Sequence, residues 1–357
     1  AGTCLVTATQ AGDANYNAVS SEQTTVTFAK DAPTTGAFGN VTRTYGSAPF
    51  QITPPSVTGA FGADLSNAGT WTYASSDSAV ATVMGDSIDV GATGSATITG
   101  TFTPTDDTDY TTATAKMTVT VNKATQSTLS ISSPNSFTYG TSLTLVTTGG
   151  SGSGAVTFTA TDGTASDCTV TGTVLTSSST GTCVVGASKA GDANYLPATA
   201  SNVTVTVVKA DQTVSFTTSP PLVPMPFGTY SVAATATSGL APSLTITTGS
   251  PTVCELSVGT VTFNAAGTCV ITASQSGDGN YNAAVSVTQT IVVGALNQSI
   301  TFAQPADKDF DDPTFALTAM ASSGLPVTFA RDLGQMVFPY ACSVDDTGIV
   351  TIAAEGP

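Results

Sequence analysis

Six cysteines are the residues of this chain best suited to covalent chemistry. Cys168 and Cys183 stand at the same spacing as Cys254 and Cys269, and Cys183 and Cys269 sit in the same Gly-Thr-Cys motif. Equal spacing at equal positions of a repeat makes Cys168–Cys183 and Cys254–Cys269 the economical disulfides. Each would close a loop of about 15 residues, worth ~3 kcal/mol in the chain-entropy account. Cys4, also in a Gly-Thr-Cys motif, and Cys342 are left over. They are either two free, buried thiols or a third bridge made across a join between copies of the chain.

The remaining chemistry is sparse. Asp307, Asp309, Asp311 and Asp312 alternate oxygen ligands of the kind Ca²⁺ takes. The EF-hand pattern fails, because Asp312 stands where glycine is needed and Thr318 where the last loop position needs glutamate. The alternative is a solvated loop, and no metal is assigned. Asp345-Asp346 pairs two carboxylates, but nothing nearby in sequence raises their pKa. The chain has no histidine, which removes Ser-His-Asp and Cys-His nucleophiles and His-ligated metals. There is no phosphate-cradling glycine loop with its lysine. We therefore expect no enzyme and no cofactor. With 24 acidic against 8 basic residues and a net charge of −16, the chain repels nucleic acid and anionic membrane surfaces. No apolar run is long enough to span a bilayer, so this segment is not membrane-inserted. No basic-then-apolar secretory start is present either, as in a mature, processed or excerpted chain.

The elements that must position these residues are strands. The composition is rich in Thr and Val, punctuated by 34 glycines and 18 prolines, and only 9% charged. That favours short strands and turns over helices. Ala115–Val121 and Val203–Val208 alternate with period two, so one face packs while the other meets solvent. Many such runs at regular spacing without helical stretches predict an all-β chain of β-sandwiches.

The chain also repeats itself. GTCLVTATQAGDANYNA from Gly2 recurs as GTCVVGASKAGDANYLPA from Gly181 and as GTCVITASQSGDGNYNAA from Gly267. Junctions at Lys30-Asp31, Lys123-Ala124, Lys209-Ala210 and Gly294-Ala295 divide it into 30–122, 123–208 and 209–294, with partial pieces at 1–29 and 295–357. Each full piece has about 90 residues, enough for one small core. The two partial pieces add up to one more. We therefore expect copies arranged head to tail, residues 1–29 completing the sandwich begun by 295–357 of a neighbour. The neighbour is either covalently continuous or a subunit exchanging strands. A fragment with ragged ends is the plainer alternative. Piece 30–122 lacks cysteines, and Ala81 and Ala96 stand at the two Cys positions. Its only tryptophan, Trp71, reads as core.

The GDANY element (Gly12–Tyr16, Gly191–Tyr195, and Gly277–Tyr281 with Gly279) is replaced by Asp106-Asp107-Thr108-Asp109-Tyr110 in the first full piece. It reads as a turn in which Asp accepts backbone N–H groups, with Tyr plugging the end of the sandwich. A carbohydrate-binding aromatic is the alternative. The acidic loop at 307–312 and that at 106–109 of the next copy would meet at one junction. Asn40-Val41-Thr42, Asn202-Val203-Thr204 and Asn297-Gln298-Ser299 are glycosylation sequons.

The residues GTCVITASQSGDGNYNAA, SSGLPVTFA from Ser322, VNKATQ from Val121, SSDSAVATV from Ser75 and GSATITGTF from Gly94 resemble tandem bacterial immunoglobulin-like repeats of large secreted and cell-surface proteins, including adhesins. The resemblance implies extracellular, cell-surface Ig-like domains in a linear array. It also implies a role in projecting or linking; four such units in series make a stiff stalk or filament, with copies of the chain as partners through the head-to-tail join. The alternative is an adhesin segment in which one domain, 30–122 or the completed 295–357, binds a glycan or protein.

Overall fold

The computed structural model describes residues 1–249, 251–309, 311–332 and 342–352. The chain is almost entirely β, and it divides into two compact units, Ala1–Ala210 and Asp211–Pro357. No helix among the described residues is long and apolar enough to cross a membrane.

Unit Ala1–Ala210 holds two complete Ig-like sandwiches. In the first, a sheet in the order Val41–Thr44, Ala113–Asn122, Gly94–Pro104 and Gly69–Ser75 faces a sheet in the order Ala81–Met84, Ser87–Val90 and Phe50–Gln51. Val41–Thr44 runs parallel to Ala113–Asn122, and the other pairs in these two sheets are antiparallel. In the second, Ser136–Thr138, Val203–Val208, Gly181–Lys189 and Val156–Asp162 face Leu143–Thr144, Val174–Thr176 and Thr169–Thr171. Unit Asp211–Pro357 holds a third, in which Ser243–Thr248, Gly267–Ser274 and Val287–Val293 face Thr229–Ser231, Thr260–Phe263 and Cys254–Ser257.

The alternating sequence produces these layers directly. Along Gly94–Pro104, Ala96, Ile98, Gly100 and Phe102 turn inward, while the threonines between them turn outward. Ala113–Asn122 does the same with Ala113, Ala115, Met117, Val119 and Val121. Each core is therefore built from the inner faces of two sheets: Ile88, Ile98 and Val119 in the first sandwich, Leu175, Val185 and Val205 in the second, Val261, Ile271 and Ile291 in the third. A second cluster in the first sandwich joins Val57, Leu65, Phe102 and Ala113, with Trp71 and Tyr110 packed against it.

Both disulfides tie the two layers together. Cys183 and Cys269 lie on the central strands Gly181–Lys189 and Gly267–Ser274. Their partners lie in the facing sheet, Cys254 opening Cys254–Ser257 and Cys168 just before Thr169–Thr171. The Cα–Cα distances are 5.8 Å for Cys168–Cys183 and 6.0 Å for Cys254–Cys269. In the first sandwich Ala81 opens the strand Ala81–Met84 and Ala96 is the third residue of Gly94–Pro104. They are 0% and 1% exposed in one cluster, so two methyl groups fill the space that a bridge fills elsewhere.

The two partial pieces each form only part of a sandwich. In one, Gly2–Val6 pairs with Thr24–Phe28, and Thr9–Gln10 with Val19–Ser20. In the other, Ile300–Phe302 pairs with Ala319–Ala321, and Phe315–Ala316, Ile349–Ile352 and Cys342–Val344 make a three-stranded sheet. Residues 310, 333–341 and 353–357 of the expected 295–357 span lie outside the described residues.

Two substitutions follow. Replacing Cys168 and Cys183 together by alanine is expected to cost the second sandwich ~3 kcal/mol, read from the urea midpoint. Conversely, Ala81→Cys with Ala96→Cys should close a bridge, seen as a loss of about 2 Da on non-reducing mass analysis. Two persistent thiols would show that the alanine pair is not the counterpart of the bridge.

Candidate functional site

The recurrent GDANY turn is built the same way wherever it occurs. Asp13 Oδ1 accepts the N–H groups of Asn15 and Tyr16, both at 2.8 Å. Asp192 Oδ1 accepts those of Asn194 and Tyr195, both at 2.9 Å. Asp278 Oδ1 accepts those of Asn280 and Tyr281 at 2.8 and 2.9 Å. Asp106 Oδ1 accepts those of Thr108 and Asp109 at 3.0 and 3.3 Å. The leading glycine is required by a close approach: a Cβ on Gly191 would lie 2.6 Å from the Tyr195 carbonyl oxygen.

For Asp192 and Asp106 the hydrogen bonds favour the ionised carboxyl. The Asp192 pKa is held below the usual range by the N–H of Ser153 first and that of Asn194 next. For Asp106 the leading cause is the Thr108 hydroxyl, followed by the Thr108 N–H.

The turn also fastens the chain around it. Lys123 Nζ donates to the Asp192 carbonyl at 2.7 Å, and Lys30 Nζ donates to that of Asp107. Ala124 N donates to Asn194 O at 2.9 Å, and Leu196 N donates back to Ala124 O at 2.9 Å. The entry of each of these sandwiches is thereby pinned to its own turn.

The far side of the turn reaches the preceding sandwich. Thr93 N donates to Asn194 Oδ1 at 3.2 Å, and the Thr93 hydroxyl donates to Ala193 O at 2.7 Å. The Tyr195 ring meets Tyr45 edge-on, with centroids 5.3 Å apart. Ala1, which precedes Gly2 as Thr93 precedes Gly94, makes the corresponding contact. Its nitrogen donates to the Asp109 carboxylate and, at 3.1 Å, to Thr108 O. The tyrosine therefore has two uses. Tyr110 packs inside its own sandwich beside Leu65, as the sequence suggested, whereas Tyr195 bridges two sandwiches.

Cys4 and Cys342 carry free thiols, one exposed and one half-buried. Their registers match those of the bridged residues. Cys4 is the third residue of its strand and pairs with Val26, as Cys269 is the third of its strand and pairs with Ile291. Cys342 pairs with Ile352 at the start of its strand, as Cys254 pairs with Phe263. The inner face around Cys4 is bare: Val26 and Phe28 are 42% and 57% exposed, against 2% and 3% for their counterparts Ile291 and Val293. Gly267–Ser274 is paired on both sides, but Gly2–Val6 is paired only with Thr24–Phe28 among the described residues. Residues 326–332, which follow the same Ser-Gly-Leu triplet as Ser243–Thr248, form no strand.

The other candidates hold less. In the acidic loop, Lys308 Nζ lies 3.9 Å from Asp312 Oδ2, and Asp309 N donates to that carboxylate at 3.1 Å. Among the described residues no three His, Cys, Asp or Glu side chains are grouped to hold a metal ion. Asn40 of the first sequon uses its amide oxygen to accept the Thr118 N–H at 2.8 Å. Trp71 lies parallel to Tyr73 at 6.1 Å, beside a cleft lined by Gln51, Ile52, Pro54, Thr70 and Asp86. Both Trp71 Nε1 and Tyr73 Oη are buried and unpartnered. Burial, and then the charge of Asp86, pushes the Tyr73 pKa up. No spacing in the sequence announces these unpaired groups, because they arise from the inward side of one strand.

No protein-family model and no curated protein sequence matches the chain. Among solved structures it is similar to protocadherin gamma B2 extracellular cadherin domains 3–6, with 13% identity, 91% of this chain and 92% of that chain covered, and a TM-score of 0.36. It is similar to mouse cadherin-23 EC22–24, with 13% identity, coverages of 75% and 99%, and a TM-score of 0.32. For Sidekick-1 immunoglobulin domains 1–5 the identity is 14%, the coverages 95% and 78%, and the TM-score 0.25.

Because the folded pKa of Asp192 lies below its unfolded value, the stability it confers is complete above about pH 4 and is lost as pH falls through the folded value. Asp192→Asn should lower the stability of the second sandwich at neutral pH and flatten its dependence as pH falls below the ordinary carboxylate range. Equal acid slopes for variant and parent, in unfolding followed by tryptophan-independent far-UV dichroism, would contradict the turn's role.

Proposed function

We propose that this chain is a repeat unit of a stiff extracellular stalk or filament, built head to tail from Ig-like sandwiches. Residues 1–29 of one copy complete the sandwich begun by 295–357 of the next, and Cys342 and Cys4 close that sandwich as a third bridge. The boundaries 30–122, 123–208 and 209–294 mark the complete units. One observation carries the reading. The two partial sandwiches present complementary missing halves in matching register. Among the described residues Gly2–Val6 has no second edge partner, the place that 326–332 would take, and each bares apolar side chains that the complete sandwiches bury.

Three features support a mechanical role. The inter-sheet disulfides suit an oxidising, extracellular setting. The Thr93–Asn194 and Tyr45–Tyr195 contacts fix one sandwich against the next. The outward face of Gly94–Pro104 carries threonine, and the chain has only 8 lysines and arginines in all, which leaves few sites for trypsin-like proteases. Completion is supplied either along one polypeptide or by exchange between separate chains, with the same strands in both cases.

A second reading rests on the Trp71–Tyr73 cleft. An adhesin in which the first sandwich binds a glycan would use parallel aromatic rings with Gln51, Thr70 and Asp86 around them. A ligand-dependent rise in melting confined to that sandwich, lost in Trp71→Ala, distinguishes it from the stalk.

Non-reducing mass analysis with peptide mapping tests the first reading. The expected result is Cys4–Cys342 linkage between chains, or a polypeptide carrying successive copies. A 35.4 kDa monomer with both thiols free would contradict it.

A further inference from the structure

Each complete sandwich ends its last strand against the same loop of its first half. Tyr45 N donates to Asn122 O at 2.9 Å, and Tyr139 N donates to Val208 O at 2.8 Å. In the third sandwich Gly294 N donates to Pro224 O at 2.9 Å. The segment Pro224–Gly228 therefore stands where Tyr45 stands in the first sandwich. There, Tyr45 receives the Tyr195 ring from the turn of the following sandwich.

In the third sandwich this loop is different in kind. It reads Ser219-Pro220-Pro221-Leu222-Val223-Pro224-Met225-Pro226-Phe227-Gly228. Leu222 and Phe227 are 99% and 79% exposed. The backbone beneath them is fastened, with Phe227 N donating to Phe263 O at 2.6 Å and Gly228 N to Met225 O at 3.1 Å. Phe227 has φ +72°, a left-handed conformation that strains a non-glycine residue. A proline-stiffened, strained loop thus holds apolar side chains out in water. Such preorganisation lowers the entropy lost when a partner seats on it.

We propose that this loop is the seat for the Gly12–Tyr16 turn of a second copy, with Tyr16 lying on Met225 and Phe227 as Tyr195 lies on Tyr45. The inference rests on the head-to-tail reading, which places residues 1–29 of that copy in the sandwich following Gly294. The turn it receives has the same Asp-centred hydrogen bonds as the Gly191–Tyr195 turn, and its ring is 78% exposed in its own chain. Of the residues in the turn and loop, only Asp13 is charged, so an apolar contact joins two chains that each carry −16.

The test places the photo-crosslinker p-benzoylphenylalanine at position 227 of the full chain. Light and ¹⁵N-labelled chains are mixed, irradiated and digested with trypsin. The expected product is a mixed-isotope crosslink from position 227 to the peptide containing Gly12–Tyr16. Tyr16→Ala, and separately Met225→Ser with Phe227→Ser, should each weaken association about tenfold or more. These side chains lie at the surface of the isolated chain, so folding should persist, checked by far-UV dichroism. If Cys4–Cys342 bridges form between chains while position 227 crosslinks elsewhere or not at all, the seat is overturned and the array stands. If neither bridge nor crosslink forms, the array reading falls and the seat with it.

Discussion

The constraint on which this structure depends is that a β-sheet with one apolar face must find a second such face. Each complete sandwich meets it by laying a sheet of three to five strands on a second three-stranded one, with Ile98, Val185 or Ile271 from the central strand in the middle. One pair of facing positions recurs in all three sandwiches. Cysteines occupy it in two of them and buried alanines in the other, so small side chains fill it whether or not a covalent bond is present. At Gly2–Phe28 the apolar face stays in water, and among the described residues Gly2–Val6 has one edge unpaired. Both conditions are unfavourable and both invite pairing with another chain.

A second layer of organisation joins the sandwiches. The aspartate-centred turn is a small rigid body: one carboxylate holds two N–H groups, a lysine at the sandwich entry caps its carbonyl, and its outer edge offers an asparagine and a tyrosine to the neighbour. Between the first two sandwiches the contact is made by two hydrogen bonds and one ring pair.

Much of the fold was legible in the residues because the repeats carry their own register. The Gly-Thr-Cys motif predicts the central strand, the equal cysteine spacing predicts the bridges, and Ala81 and Ala96 predict an unbridged counterpart. The asparagine and aspartate of GDANY predict the turn. Its contact with the neighbour was not legible, since Tyr45 and Tyr195 are far apart in sequence and nothing local marks them as partners. The proline-rich loop at 219–228 was missed for a related reason. Its apolar residues carry no period, and their exposure follows only from where the backbone is fastened.

The most direct measurement is complementation. A peptide of residues 1–29 is titrated calorimetrically into a chain that begins at residue 30, under oxidising conditions. The account predicts saturable 1:1 binding, a negative heat-capacity change from burial of the Val26, Phe28 and Phe302 faces, and formation of the Cys4–Cys342 bridge. Absence of binding, with both thiols remaining free, would contradict it.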